Sequence, residues 1–140
     1  MTAELSNPFA TRYVRPGAIA YRWPPGESAA ALVDRLAACG WWGEIAGPHG
    51  SGKSTLLAAL VQPLQTAGRR VLMFTLEEGM RRLPAGRKRL AAASRETLVI
   101  VDGYEQLSAW ARWALKFACR RRRCGLLVST HRPSGLPLLL

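Results

Sequence analysis

The chain reads as an α/β domain: a parallel sheet covered by helices on both faces. Three observations lead there. Strand-like and helix-like segments alternate along most of the 140 residues. Residues 97–101 form a continuous β-branched and leucine run, as in a strand buried on both faces, and residues 125–130 read as another buried strand. A glycine-rich turn at 47–52 joins a strand segment to a helix segment. Such alternation calls for parallel strands linked by helical crossovers. A chain of this length buries about two-thirds of its unfolded surface and needs no disulfide or metal staple.

Each element follows from its residues. Residues 1–27 are an irregular arm, broken by Asn7-Pro8, Arg15-Pro16-Gly17 and Trp23-Pro24-Pro25-Gly26. Residues 28–140 are the domain. Ser28 caps a helix that runs to about Cys39, with Ala31, Leu32, Leu36 and Cys39 at helical spacing and Gly40 as its stop. Residues 41–46 are a short buried strand. Residues 54–67 are a helix ended by Gly68, and Pro63 is expected to kink it or end its regular part early. Residues 70–76 are a strand. The basic stretch 77–95 is a loop with a short helix. After the strand at 97–101, residues 104–120 are a helix with Leu107, Trp110, Ala111, Ala114, Leu115 and Ala118 on one side. Trp41, Trp110 and Trp113 fit buried faces. Beyond the strand at 125–130, Pro133, Gly135 and Pro137 mark a loop, and Leu138 to Leu140 begin one more strand.

Composition narrows the partners. The apolar fraction is 49% and the charged fraction 21%, which excludes a disordered chain. Lys+Arg number 20 against 9 Asp+Glu, a net charge of +11, which disfavours cationic substrates and favours a nucleotide, a nucleic acid or an anionic membrane surface. Nearly all of this charge is arginine, which coding bias alone can also produce. No apolar run reaches the ~20 residues of a membrane span. The N-terminus lacks the basic start and apolar stretch of a secretory signal. Three cysteines, an odd and sparse set, suit a reducing, cytoplasmic compartment. Cys119 and Cys124 flank four arginines with no second Cys/His pair nearby, which is not a zinc pattern.

The sharpest signal is Gly47-Pro48-His49-Gly50-Ser51-Gly52-Lys53-Ser54-Thr55, which satisfies G-x-x-x-x-G-K-[ST] between a strand and a helix. Its glycines free the backbone to curl into a concave loop. The loop's N–H groups converge on phosphate oxygens, and the following helix adds its positive end. Lys53 can bridge β- and γ-phosphates, Ser54 can ligate Mg²⁺ and Thr55 can reach the α-phosphate. On these residues the chain resembles the P-loop NTPases. The run Thr97-Leu98-Val99-Ile100-Val101-Asp102 looks like their Walker B strand, with Asp102 holding the Mg²⁺ shell at the sheet edge where ligands bind.

The strand Leu126-Leu127-Val128-Ser129-Thr130-His131 resembles the extra strand of the AAA+, STAND, RecA-like and ABC branch. That resemblance implies a three-layer α/β/α sandwich of strand order 5-1-4-3-2. The fifth strand is expected to be partial or missing, with no lid and no C-terminal sensor arginine. It also implies a polar sensor, Thr130 or His131, near the γ-phosphate; His131 reads equally as an exposed loop residue. The glutamate that usually follows the Walker B acid is replaced by Gly103. Glu105 is the substitute of choice, with Glu77 and Glu78 as rivals. No Leu-Ser-Gly-Gly-Gln signature appears. No Asn-Lys-x-Asp guanine signature appears either, which leaves ATP preferred over GTP.

The expected function is Mg²⁺-dependent ATP binding with hydrolysis of the β–γ bond. One alternative is a nucleotide-gated binding or assembly module with little or no hydrolysis. Another is a small-molecule or nucleotide kinase whose arginines clamp an acceptor. The Arg-rich segments 81–95 and 120–123 could grip a nucleic-acid or protein partner; the second also reads as a solvated helix end. Tyr21 and Trp23 read either as adenine stackers, as in ABC ATPases, or as hydrophobic cover.

Overall fold

The computed structural model describes residues 21–48, 52–83 and 86–140. Most of the arm at 1–27 lies outside them. Helix α1, Ala29–Ala38, begins at Ser28, whose hydroxyl accepts the Ala31 N–H at 3.1 Å. Strand β1 is Trp42–Ala46 and helix α2 is Lys53–Thr66. Strand β2 is Arg70–Thr75, followed by the short helix α3, Gly86–Leu90. Strand β3, Thr97–Asp102, is buried along its length except at the acid. A 3₁₀ turn at Tyr104–Gln106 leads to helix α4, Ala109–Arg122, and strand β4 is Gly125–Thr130.

All four strands are parallel, in the order β1-β4-β3-β2. Helices cover both faces of the sheet, an arrangement compatible with a three-layer α/β/α sandwich. On one face, Leu32 and Leu36 of α1 and Leu56, Leu57, Leu60 and Leu64 of α2 close on Ile45, Leu98, Ile100 and Leu127. On the other, Leu115 and Cys119 of α4 close on Val99, Val101, Leu126 and Val128. The alternation of side chains along β3 and β4 feeds both cores at once, and each fully buried leucine contributes about 1.5–3 kcal/mol. Tyr21 and Trp23 meet edge to face at 4.9 Å and pack against the first core, so in this structure they serve as cover.

Residues 137–140 run in parallel beside β1. Glu44 pairs with Leu138, the Glu44 N–H donates to the Pro137 carbonyl at 2.8 Å, and the Leu139 N–H donates to the Glu44 carbonyl at 2.9 Å. This is the flank on which a partial fifth strand was expected. The Glu44 carboxylate is fully buried and accepts the N–H and hydroxyl of Ser134.

Three expectations need correction. Pro63 does not end α2, which continues to Thr66. Proline removes a single N–H, and here it falls in the last turn, where Leu64 still packs and the Pro63 carbonyl accepts the Ala67 N–H. The helix expected over 104–120 is two pieces, because Ser108 takes an extended backbone and caps α4 by accepting the Ala111 N–H. Third, Trp110 and Trp113 are not buried: they are 71% and 55% exposed. The apolar face of α4 is wider than its contact with the sheet, and Leu115 and Cys119 occupy that contact. Among the described residues, no helix is long and apolar enough to cross a membrane.

Candidate functional site

The C-terminal ends of β2, β3 and β4 and the N-terminus of α2 enclose a cleft of about 940 Å³. Parallel strands direct their C-terminal ends to one edge, and there the loops gather chemistry. Gly52, Lys53 and Ser54 line the cleft from α2, and Asp102, Gly103 and Glu105 from the end of β3. Ser129 and His131 line it from β4, and Thr75, Leu76, Glu77 and Glu78 from the end of β2.

The loop before α2 is anchored at its start by the Gly47 N–H, which donates to the Thr130 carbonyl at 3.0 Å. Lys53 reaches back to the start of this loop, where its Nζ donates to the carbonyls of Gly47 and Pro48 at 2.7 and 2.8 Å. Gly52 caps α2 in the left-handed region, φ +84°, which favours glycine there. His49, Gly50 and Ser51 lie outside the described residues. Thr55 sits in the first turn of α2 and is not among the residues that line the cleft.

Ser54 and Asp102 meet directly: Ser54 Oγ donates to Asp102 Oδ2 at 2.6 Å. The second carboxylate oxygen, Oδ1, accepts from Ser129 Oγ at 2.7 Å, and the same Ser129 oxygen accepts the Gly103 N–H at 2.9 Å. Two hydroxyls, one from each side, thus fix the carboxylate. Among the described residues, no group of three or more His, Cys, Asp or Glu is arranged to hold a metal ion.

Glu105 reaches the cleft from the 3₁₀ turn. His131 Nε2 lies 3.7 Å from its Oε2, and Gln106 Nε2 donates to the same oxygen at 3.4 Å. The other oxygen, Oε1, is buried and has no hydrogen-bond partner among the described residues. Arg112 holds the turn from behind, donating to the Glu105 carbonyl at 3.0 Å. Gly103 has φ +91°, and a Cβ there would lie 2.9 Å from the Leu76 carbonyl oxygen. The backbone turns sharply after Asp102, so a side chain at the next position would crowd the Leu76 carbonyl, and the next acid along the chain is Glu105.

No protein-family model matches the chain, and no curated protein matches it.

Of the residues expected at the site, Lys53, Ser54, Asp102, Glu105 and His131 come together in the cleft, with the rivals Glu77 and Glu78 on its β2 side. Thr130 does not join them. Its hydroxyl donates to the Arg132 carbonyl at 2.7 Å, and it lies on the sheet face opposite Ser129. Ser129, missed in the sequence, takes the polar position beside Asp102. Alternation along β4 puts Leu127 and Ser129 on one face, but the pairing of Val101 with Val128 that sets Asp102 beside Ser129 is a tertiary register.

Burial raises the Tyr104 phenol above its ordinary pKa, partly offset by the neighbouring Arg112 charge. Its hydroxyl has no hydrogen-bond partner among the described residues.

Proposed function

We propose that the chain binds ATP with Mg²⁺ in this cleft and hydrolyses the β–γ bond, as a P-loop NTPase of the additional-strand branch. The observation that carries this reading is the 2.6 Å hydrogen bond between Ser54 and Asp102. It joins the hydroxyl at the metal position of the loop to the acid at the strand edge, from segments 48 residues apart in sequence. Hydroxyl and carboxylate oxygens are the hard donors that Mg²⁺ takes, and Mg²⁺ is ordinarily completed by phosphates and waters rather than by a full protein cage. Ser54 and Asp102 would therefore hold it, and it would supply charge neutralisation on the phosphates.

The chain's own residues do the rest. Lys53 exchanges the carbonyls of Gly47 and Pro48 for phosphate oxygens. The N-terminal N–H groups of α2 receive phosphate charge. Glu105 accepts the proton of the water that adds to the γ-phosphorus as the bond to the bridging oxygen breaks. His131, beside Glu105, orients it.

Lys53→Ala abolishes tight ATP binding in calorimetry; unchanged affinity would sink the reading. Glu105→Gln keeps binding and loses steady-state phosphate release. A second reading, a nucleotide-gated module with little hydrolysis, draws on Gly103, where the backbone leaves no room for a glutamate. Turnover of the unaltered chain below the buffer blank, with ATP bound, would select it.

A further inference from the structure

Helix α4 carries a second feature, away from the cleft. Trp110, Trp113 and Phe117 are 71%, 55% and 51% exposed. They fall at i, i+3 and i+7, one stripe of the helix, on the side opposite the buried Leu115 and Cys119. The rings stack on each other: Trp110 on Trp113 with centroids 5.1 Å apart and planes 26° apart, Trp113 on Phe117 at 5.5 Å and 13°. One turn on, at i+4 from Phe117, the same stripe continues into the exposed Arg121. The helix Ala109–Arg122 contains no acid and five cations, Arg112, Lys116, Arg120, Arg121 and Arg122, and the exposed Arg123 follows it.

We propose that this face of α4 binds single-stranded nucleic acid, with bases stacking on the free outer faces of Trp110 and Phe117 at the two ends of the ladder and phosphates meeting Arg121, Arg123 and Lys116. Aromatic rings beside cations are the recurring platform for single strands: every base has a face that stacks, and every linkage has a charge. A duplex offers no free base faces to such a ladder.

Charge and geometry argue against three other occupants. A second copy docked by the same face would bring two arginine runs, Arg120 to Arg123, together. The chain's own residues 1–20 carry one acid, Glu4, against Arg12 and Arg15, and offer no complementary charge. An anionic bilayer would attract the cations, but a helix lying in a membrane separates its apolar face from its cationic one. Here Arg121 stands in line with the rings, where insertion would bury its charge. The inference does not depend on the nucleotide reading.

The test is fluorescence anisotropy of a labelled 20-nucleotide oligothymidylate and an oligouridylate, with the full chain, no ATP and several salt concentrations. Binding is expected with a log–log salt dependence. Trp110→Ala weakens it roughly tenfold, and Arg121→Ala lowers the salt slope by about 0.7. These side chains are exposed, so thermal melting verifies that the variants fold as the parent does. Phe117→Ala repeats the reading at the other end of the ladder. Four results would overturn the proposal: no oligonucleotide binding by the parent; equal affinity of parent and ring variants; equal or tighter binding of a duplex of the same length; or ring variants that lose only phosphatidylserine-vesicle binding or self-association in sedimentation.

Discussion

Asp102 shows how much one side chain depends on its neighbours. Its two carboxylate oxygens accept from Ser54 and Ser129, and Ser129 also receives the Gly103 N–H. Ser129→Ala removes one hydroxyl from the carboxylate and leaves a backbone donor without its partner. On the proposed Mg²⁺–ATP reading Asp102 belongs to a metal site, and outer partners of such a group ordinarily alter metal affinity by 10–100-fold. Calorimetry with ATP should therefore show a Mg²⁺-dependent affinity about tenfold weaker, and Mg²⁺-free binding unchanged. Tyr104 presents the reverse case, a buried hydroxyl with no partner among the described residues. Tyr104→Phe removes a polar group and keeps the ring, so stability at neutral pH should stay within about 1 kcal/mol of the parent or rise. Burial raises the folded-state phenol pKa, so between the unfolded pKa near 10 and the folded one the native state holds the extra proton. The Tyr104 contribution is intact below about pH 10 and is lost as pH rises beyond it. Denaturant melts from pH 8 to 11 should show a shallower alkaline decline for Tyr104→Phe than for the parent.

At the scale of elements, α4 is where the periodic pattern misled. An apolar stripe through 107, 110, 111, 114, 115 and 118 reads as one continuous helix facing inward. Ser108 divides it, and within the helix that follows, packing puts Leu115 and Cys119 against the sheet, with Trp110 and Trp113 on the far side. Because the cap supplies an acceptor to the Ala111 N–H, Ser108→Ala should cost about 1 kcal/mol in chemical denaturation. Its effect should concentrate in hydrogen exchange of the first turn of α4. Strands β3 and β4 were easier to read. Each has an uninterrupted apolar stretch, Leu98 to Val101 and Leu126 to Val128, so burial on both faces is stated without any need to know the phase. Helix α2 likewise needed no phase information at its start, because the glycine–lysine–serine spacing marks where it begins.

Across the whole molecule, the charge of +11 divides into distinct uses. Several arginines hold the fold. Arg69 stacks over Trp41 and donates to the Arg95 carbonyl, and Arg89 stacks over Phe74 and donates to the Met73 carbonyl. Arg112 lies over Tyr104, Arg120 over Trp42, and Arg122 donates to the Ala91 carbonyl. Guanidinium suits such places because its plane stacks on rings while its edge donates. The C-terminal residues are joined to the sheet by Glu44, whose buried carboxylate is met by Ser134. Ser134→Ala removes the hydroxyl donor to a buried charge. It should lower stability by about 1–3 kcal/mol, read as a lower melting temperature, without affecting the residues of the cleft.

The sequence by itself determined the alternation of strands and helices, the two strands buried on both faces, and the spacing that carries Lys53 and Ser54 to a helix start. It also determined the position of Asp102 at a strand end. These are local quantities, set by neighbours within a few residues. Only the tertiary structure decided that Ser129, not Thr130, faces Asp102, since the register between adjacent parallel strands sets which face each residue takes. It alone showed that Gly103 is excluded from bearing a side chain by the Leu76 carbonyl, and that Glu105 instead reaches the cleft. It alone turned the rings of α4 outward, because a helix's rotation is fixed by what packs beneath it and not by its own periodicity.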